Sequence, residues 1–270
     1  MKPYEADGIT ILHGDCLKVL PTLEENSVHA VITDPPYGIS SNVVIRRNSN
    51  PGKFRGKDIN YNFGKWDAFP DDAAFWKFTE AWMTECARVL VPGGTFFAFF
   101  DRDRVNGAAR FLRGLGFKGI HYLAWIKTNP VPQVRKVKWA NGWEIAFLMV
   151  KDGGKRSYQY AEGHHPDYWI TPIVAGKERS PHPTQKPLII GLDVVRWWTT
   201  HDATILDPFA GSGSTGCAAA IEGMSFVGIE REREYSDIAE ARIAWWMKHP
   251  NGPDADARKP LLEKMSEIEK

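Results

Sequence analysis

The sequence has few cysteines and no long apolar run. Cys16, Cys86 and Cys217 lie far apart and form no Cys-x-x-Cys pair, which argues against a disulfide framework and a cysteine-rich zinc site. No apolar run approaches the length that spans a membrane, and no apolar signal region follows Met1. We therefore expect a soluble protein of a reducing compartment, with no bound metal and no membrane partner.

A large net charge is also lacking, because 34 basic and 33 acidic residues leave a formal charge of +1. Proteins that bind a nucleic-acid duplex often carry a strong overall positive charge, so any such surface here must be a local patch. Aromatic residues, in contrast, are plentiful, and 11 of them are tryptophans. These rings either fill the core or stack on a planar ligand.

Apolar strands alternate with helices, which predicts one α/β domain over residues 1–250. The apolar runs are typical of strands buried on both faces, and they indicate a mostly parallel, seven-stranded sheet with helices on both faces. We predict strands at residues 8–12, 29–33, 95–100, 121–127, 143–151, 204–207 and 225–230, and helices at residues 71–90, 103–114, 187–199, 214–222 and 235–248. Such sheets bind ligands at the carboxyl ends of their strands.

Four segments interrupt this alternation. Residues 39–69 are rich in Asn and Gly, and we interpret them as a long mobile loop. Residues 128–141 are also predicted to be a loop, and residues 152–186 are rich in Gly, His and Pro and show no apolar periodicity, so they are predicted to lack a regular element. Residues 251–270 are polar and are predicted to form a loosely attached C-terminal tail.

A glycine-rich turn follows the predicted strand at 204–207. Asp207 opens the run Asp-Pro-Phe-Ala-Gly-Ser-Gly, whose glycines let a ligand approach the backbone before a helix with free N–H groups begins. Glu230 ends the next strand, where a carboxylate can accept hydrogen bonds from ribose hydroxyls. The spacing also fits a dinucleotide site, but the Asp207 carboxylate would repel a pyrophosphate and attract an ammonium group. A glycine turn with a purely structural role would show the same pattern.

A second turn, Asp34-Pro35-Pro36-Tyr37, follows the predicted strand at 29–33. Pro36 forces Pro35 into an extended conformation, so the Pro35 carbonyl and the Asp34 carboxylate form two neighbouring acceptors that suit an NH₂ group. Tyr37 offers a flat ring on which a base can stack. The two acceptors would favour a pyramidal nitrogen whose lone pair attacks a sulfonium methyl group. A Pro-rich turn with a purely structural role is the competing interpretation.

Three segments together resemble the signatures of amino-methylating DNA methyltransferases. They are residues 33–38 (Thr-Asp-Pro-Pro-Tyr-Gly), 182–187 (His-Pro-Thr-Gln-Lys-Pro) and 206–213 (Leu-Asp-Pro-Phe-Ala-Gly-Ser-Gly), and residues 125–130 are similar to a later strand of that family. The catalytic motif precedes the cofactor motif, an order that resembles the β group of the family. The resemblance covers residues 8–245 and implies a Rossmann-like methyltransferase fold, circularly permuted relative to enzymes whose cofactor motif comes first.

The resemblance implies a role for individual residues. The catalytic ones would be Asp34, Pro35, Pro36 and Tyr37. The residues expected to bind S-adenosylmethionine are Asp15, Cys16, Asp34, His182, Thr184, Lys186, Asp207, Pro208, Phe209, Ala210, Gly211, Ser212, Gly213, Thr215, Glu230 and Arg231.

Within the cofactor set, the glycine turn would hold the methionine part and Glu230 the ribose. Asp15 would contact the adenine, while Thr184 and Lys186 would neutralise the methionine carboxylate. His182 fits a loop histidine without a chemical role equally well.

Two basic segments would contact the double-stranded DNA. The predicted DNA-binding residues are Arg46, Arg47, Lys53, Arg55, Lys57, Arg135, Lys136 and Lys138. The loop at 39–69 would close over a base turned out of the duplex, and residues 128–141 and 152–180 would recognise the target sequence. Solvated loop charge without a nucleic-acid partner is the competing interpretation.

The expected activity is site-specific transfer of a methyl group to an exocyclic amino group of a DNA base. Asp34, where N4-cytosine enzymes carry Ser, resembles N6-adenine enzymes, so adenine is favoured over cytosine. Methylation of a planar amine in RNA or protein is a further possibility, and a non-catalytic DNA-binding relative is another. The resemblance implies a cytoplasmic, bacterial or phage-encoded enzyme, with a second copy of the chain and a cognate restriction endonuclease as candidate partners.

Overall fold

The structure, a computed structural model, describes residues 4–38, 44–45, 59–60, 67–132, 137, 139–159 and 165–250. The chain divides into two compact units, one formed by Met1–Pro35 together with Glu80–Lys270 and the other by Pro36–Thr79. In the described part of the chain, every helix is too short or too polar to cross a lipid bilayer.

All the predicted strands and helices occur in the predicted order. The strands are β1 (Tyr4–Ala6), β2 (Ile9–His13), β3 (Val28–Thr33), β4 (Val44–Ile45), β5 (Ile59–Asn60), β6 (Leu90–Phe100), β7 (Phe117–Lys127), β8 (Trp143–Lys151), β9 (Tyr168–Thr171), β10 (Thr204–Asp207) and β11 (Ser225–Glu230). The helices are α1 (Cys16–Val19), α2 (Asp72–Val89), α3 (Val105–Gly114), α4 (Leu188–Trp198), α5 (Ser214–Ile221) and α6 (Arg233–Lys248). The structure thus adds the short elements β1, α1, β4, β5 and β9.

One sheet, in the strand order β1-β2-β11-β10-β3-β6-β8-β7-β9, forms the centre of the larger unit. Strands β2, β11, β10, β3 and β6 run parallel to one another, and β8 turns the sheet antiparallel on its β6 and β7 sides. The predicted α/β class with a mostly parallel sheet is confirmed. In the smaller unit, β4 and β5 form an antiparallel pair.

The sheet has nine described strands, so the predicted number of seven was too low. The first additional strand, β1, is only three residues long and folds back on β2 through a turn with positive φ at Asp7 and Gly8. The second, β9, lies inside the segment 152–180 that was predicted to be a loop. Its four residues are too few to show a periodic pattern, and pairing with β7 determines its conformation.

Strand β6 begins earlier than predicted. The predicted strand was 95–100, whereas β6 also contains Pro92, Gly93 and Gly94, where Gly93 has a φ of 83° and the pairing with β3 shifts register. Glycine accommodates this irregularity because it has no Cβ. The predicted bounds of β8, β10 and β11 agree with the structure.

The core consists of side chains on both faces of the central strands. Ile205 and Leu206 of β10 are fully buried, as are Phe96 of β6 and Trp82 of α2, whose rings stack at 5.9 Å. Several tryptophans therefore fill the core, although Trp139 is 95% exposed. This packing holds the parallel strands in register and aligns their carboxyl ends.

Candidate active site

Three neighbouring parallel strands end in a carboxylate. Strands β11, β10 and β3 are adjacent, with Asp207 aligned to Gly228 and Leu206 to Val31. Glu230 ends β11, Asp207 ends β10, and Asp34 directly follows β3. The two predicted motifs therefore meet at one edge of the sheet, as the rule for parallel sheets requires.

Asp207 is the most deeply buried of these carboxylates, with 3% of its surface exposed. Its Oδ1 accepts hydrogen bonds from the Thr33 hydroxyl at 2.7 Å and from the Phe209 backbone N–H at 3.1 Å. Burial outweighs these donors and raises the pKa of Asp207 to about 7. A cationic ligand beside Asp207 would stabilise its ionised form, which is the property expected of a site for an ammonium group.

The turn after β10 has the tight geometry that its glycines predict. Gly211 and Gly213 have φ angles of 50° and 74°, and the Gly213 N–H donates to the Ala210 carbonyl at 2.7 Å. A Cβ at Gly213 would lie 2.9 Å from the Cβ of Ala239 in α6. The turn therefore requires glycine at position 213 both for its conformation and for its packing.

Glu230 holds the same turn from the neighbouring strand. One of its carboxylate oxygens accepts the Gly211 N–H at 2.8 Å, and the other accepts the Glu232 N–H at 2.7 Å. Burial raises the pKa of Glu230, although these two backbone donors lower it. Each carboxylate oxygen can accept more than one hydrogen bond, so Glu230 has capacity for ligand hydroxyls.

Asp34 lies in a cluster of alternating charges. The Lys186 ammonium donates to Asp34 Oδ2 and lies 3.3 Å from Glu144 Oε2, while the Lys127 ammonium lies 2.6 Å from Glu144 Oε1. Lys186 was predicted to bind a cofactor carboxylate, whereas its described partners are these two protein carboxylates. Because Lys186 connects residues 182–187 to Asp34, the loop before α4 belongs to the same site.

In the smaller unit, the backbone after Asp34 and Pro35 is held by a buried aspartate. Asp67 Oδ1 accepts the N–H groups of Tyr37 at 2.6 Å and of Gly38 at 2.7 Å, and Asp67 is 2% exposed. Phe69 packs at 5.4 Å from the rings of both Phe75 and Phe78. Within the segment 39–69, which was predicted to be a mobile loop, the structure therefore describes these contacts of residues 67–69 and the strands β4 and β5. Residues 39–43, 46–58 and 61–66 lie outside the described part of the chain.

Other predicted cofactor residues have described roles in the local structure. The Asp15 carboxylate accepts the Leu17 N–H at 2.9 Å and caps α1. Burial and the neighbouring Asp15 raise the pKa of Cys16 to about 12, so its thiol stays protonated. The Thr215 hydroxyl contacts the Ile32 carbonyl at 3.4 Å, and Arg231 is exposed and pairs with Glu232 at 3.1 Å.

His182 lies against the glycine turn. A Cβ built at Gly211 would lie 3.0 Å from His182 Nε2, and the His182 ring lies 4.4 Å from that of Tyr235. Burial, together with the positive charges of Lys186, Arg179 and Arg242, lowers the pKa of His182 to about 4. Its buried Nδ1 has no hydrogen-bond partner among the described residues. The neutral ring therefore borders the site with a polar atom still to be satisfied.

The predicted DNA-binding residues Arg46, Arg47, Lys53, Arg55, Lys57, Arg135, Lys136 and Lys138 all lie outside the described residues, as does the tail 251–270. The second basic segment, residues 127–156, also contains Lys127 and Lys151, and both have partners within the protein. Lys127 pairs with Glu144, and the Lys151 ammonium donates to the carbonyls of Ala87 and Leu90 at 2.8 and 2.6 Å. These two lysines therefore stabilise the folded chain through internal contacts.

The sequence did not lead us to predict a role for Glu144 and Arg242 in the larger unit, or for Asp67 in the smaller one. A signal existed for Glu144, because it is an isolated acid within a strand of apolar residues. Arg242 of α6 donates to the Ser212 carbonyl and lies 3.4 Å from the Ser214 hydroxyl. These contacts link α6 to the glycine turn. In the described part of the chain, no three His, Cys, Asp or Glu side chains converge to hold a metal ion.

The chain has clear relatives among DNA methyltransferases. The sequence profile of a DNA methylase family matches residues 28–241. The Type II methyltransferase M.HinfI of Haemophilus influenzae is 30% identical over 257 residues, an alignment that covers 90% of this chain and 70% of M.HinfI. The Type II methyltransferase M2.MboI of Moraxella bovis is 28% identical over 262 residues, which is 90% of this chain and 91% of M2.MboI.

A solved structure agrees with these matches. The crystal structure of the M1.HpyAVI–SAM complex superposes with a TM-score of 0.68 at 26% sequence identity, covering 87% of this chain and 98% of that one. The chain thus has the fold of the S-adenosylmethionine-dependent DNA methyltransferases. The chain belongs to the DNA methylase family and is a DNA methyltransferase.

Proposed function

We propose that this chain methylates the N6 amino group of adenine in double-stranded DNA at a specific site, with S-adenosylmethionine as the methyl donor. The observation that carries the proposal is the position of Asp34. This carboxylate follows β3 at the edge of the sheet where β10 ends in Asp207 and β11 ends in Glu230. A base amine bound by Asp34 would therefore face the donor site.

The residues of the turn fit S-adenosylmethionine. The buried Asp207 suits its ammonium group, the positive φ angles at Gly211 and Gly213 allow close approach, and Glu230 suits ribose hydroxyls. M1.HpyAVI, a structural relative, was crystallised as a complex with SAM. When bound, the sulfonium compound supplies an electrophilic methyl group. Asp15, Cys16, Thr184 and Arg231 remain proposed contacts from the family resemblance.

The chain's own residues would prepare the amine. An exocyclic amine is a poor nucleophile because its lone pair is delocalised into the ring of the base. Asp34 and the Pro35 carbonyl would each accept one N–H, which favours a pyramidal nitrogen and directs its lone pair outward. Tyr37, whose backbone Asp67 holds, would supply a stacking surface for the base. These contacts strengthen as the nitrogen becomes positive during methyl transfer.

The choice of adenine depends on the catalytic motif. Asp34 stands where N4-cytosine enzymes of the family resemblance have Ser, and this difference favours N6-adenine. Incubating mixed-sequence DNA with the enzyme and labelled S-adenosylmethionine, then hydrolysing it to nucleosides, tests the choice. Mass spectrometry should detect N6-methyldeoxyadenosine. Detection of N4-methyldeoxycytidine alone would overturn the proposal for the base.

DNA recognition would lie in the segments that extend from the sheet edge. We assign phosphate contacts to the basic residues at 46–57 and 135–138, closure over the flipped base to residues 39–69, and target recognition to residues 128–141 and 152–180. The family resemblance suggests a homodimer and a cognate restriction endonuclease as further partners. Size-exclusion chromatography with light scattering would test the dimer.

A further inference from the structure

We propose that Glu144 is a positioning residue, which shares the Lys186 ammonium with Asp34 and so keeps the Asp34 carboxylate available to the base amine. The inference rests on the proposed function and adds a residue outside its motifs. Glu144 is the second residue of β8, a strand two positions away from β3 across β6. It approaches the site from a different side than the glycine turn does.

The two oxygens of Glu144 have separate partners. Oε1 lies 2.6 Å from the Lys127 ammonium, and Oε2 lies 3.3 Å from the Lys186 ammonium. The Lys186 ammonium also donates to Asp34 Oδ2 and lies 4.7 Å from the centre of the Phe99 ring. Lys186 is therefore held from three elements: β8 through Glu144, β6 through Phe99, and the end of β3 through Asp34.

The charges alternate along the chain Lys127, Glu144, Lys186 and Asp34, and their formal sum is zero. The side chains of Lys127, Glu144 and Lys186 are 10–20% exposed, so an unpaired charge among them would be costly. Burial alone would raise the pKa of Glu144, but the ammonium groups of Lys186 and Lys127 bring it below its usual value. The pKa of Lys186 is raised, because Asp34 and Glu144 outweigh the effect of its burial.

This balance matters because Lys186 and the base amine compete for the same acceptor. An ammonium group has three N–H donors, and the attraction of the Lys186 ammonium to Glu144 weakens its pairing with Asp34. Without the Glu144 charge, Lys186 would pair more strongly with Asp34, and the amine would have to displace it. The groups that face Asp34 are Lys186 from the loop before α4, Glu144 from β8 through Lys186, and Asp207 from β10.

Lys127 has the opposite influence from Glu144. It holds Glu144 on the side away from Lys186, so its removal would let Glu144 attract Lys186 more strongly. A purely structural role for the cluster would predict that every variant simply loses activity. A positioning role predicts that removing Glu144 and removing Lys127 change the electrostatic potential at Asp34 in opposite directions.

The test is single-turnover methyl transfer from saturating S-adenosylmethionine to DNA, measured from about pH 5 to 9. The proteins compared are the wild type, Glu144→Gln, Lys127→Met and the double variant. Glu144→Gln should slow transfer by about tenfold or more, equivalent to about 1.4 kcal/mol, with the Kd for S-adenosylmethionine changed by less than about threefold. The acid limb of its profile of transfer rate against pH should move to lower pH, because removal of the negative charge of Glu144 makes Asp34 harder to protonate.

Lys127→Met should move the acid limb to higher pH, and the double variant should return it towards the wild-type position. Glu144→Asp, which keeps the charge, should keep the wild-type limb. An unchanged rate in Glu144→Gln, or acid limbs that do not move in any variant, would overturn the inference. If Glu144→Gln fails to bind S-adenosylmethionine, an unmoved limb in Lys127→Met would overturn it equally. Absence of transfer by the wild type would instead overturn the proposed function.

Discussion

The hydroxyl of Thr33, the last residue of β3, donates a hydrogen bond of 2.7 Å to the carboxylate of Asp207, the last residue of β10. This bond connects the strand that leads to the proposed catalytic motif, which begins at Asp34, with the strand that leads to the glycine turn. Both residues are buried, so the bond is shielded from water. The ionisation of Asp207 and the position of the turn at Asp34 are therefore coupled through this side-chain contact.

The affinity for S-adenosylmethionine should rise with pH. Burial places the pKa of Asp207 at about 7 in the free protein, above its usual value, and a cationic ligand favours the ionised form. Binding below about pH 7 must therefore release a proton, which weakens it. Isothermal titration between about pH 6 and 8 should show this dependence in the wild type and a weaker one in Asp207→Asn. The exposed Asp202→Asn is the matched control, and an equal pH dependence in Asp207→Asn would refute the assignment.

Substitution of Thr33 should move that pH dependence. Thr33→Val keeps the shape of the side chain but removes a donor to the ionised Asp207, so the pKa of Asp207 should rise further. The midpoint of the pH dependence of binding should then lie at higher pH. Thr33→Ser retains the hydroxyl and should keep the wild-type midpoint. Identical midpoints for the valine and serine variants would show that the bond does not control Asp207.

Gly213→Ala should destabilise the protein by more than the strain of its backbone alone. Gly213 and Gly223 have φ angles of 74° and 69°, but a Cβ at Gly213 would lie 2.9 Å from the Cβ of Ala239, whereas one at Gly223 would meet no atom within 4 Å. We expect Gly223→Ala to reduce the free energy of unfolding by about 1 kcal/mol and Gly213→Ala by about 3 kcal/mol. Urea denaturation measures both, and equal losses would contradict the close packing of the glycine turn on α6.

Lys151 should matter for stability and not for DNA binding. Its ammonium donates to the carbonyls of Ala87 and Leu90, where α2 ends and β6 begins. Lys151→Met should reduce the free energy of unfolding by about 1–3 kcal/mol, because these buried carbonyls lose a donor. The salt dependence of DNA affinity should stay unchanged. A decrease of about one in the slope of log affinity against log salt concentration would instead indicate a lost phosphate contact. The exposed Lys155→Met is the control for the unfolding measurement.

Much of the fold could be predicted because the central strands are apolar on both faces and end at marked turns. The bounds of β8, β10 and β11 needed no tertiary information. Strand β9 did, because its four residues become a strand only through pairing with β7 and through the bond from Trp125 to Thr171 at 2.8 Å. The early start of β6 was missed for a related reason, since the register shift near Gly93 depends on the partner strand β3.

The turns that carry Asp34 and Asp207 could be predicted from local sequence, but the cluster of charges around Lys186 could not. Asp34 and Asp207 stand in turns whose spacing is visible along the chain. The neighbours of Lys186 are set by strand order, which brings it beside Glu144 of β8, a residue far earlier in the chain. Asp67 was not predicted because it follows a segment without periodicity. Its two hydrogen bonds, from the backbone N–H groups of Tyr37 and Gly38, are not visible in the sequence.

The central claim is that Asp34 activates the amine of a DNA base for methyl transfer. Transfer of labelled methyl from S-adenosylmethionine to double-stranded DNA, measured for the wild type and Asp34→Ala with cofactor affinity checked in both, tests it most directly. We predict a rate at least about 100-fold lower in Asp34→Ala, with cofactor affinity changed by only a few fold. Equal transfer by the two proteins would contradict the claim.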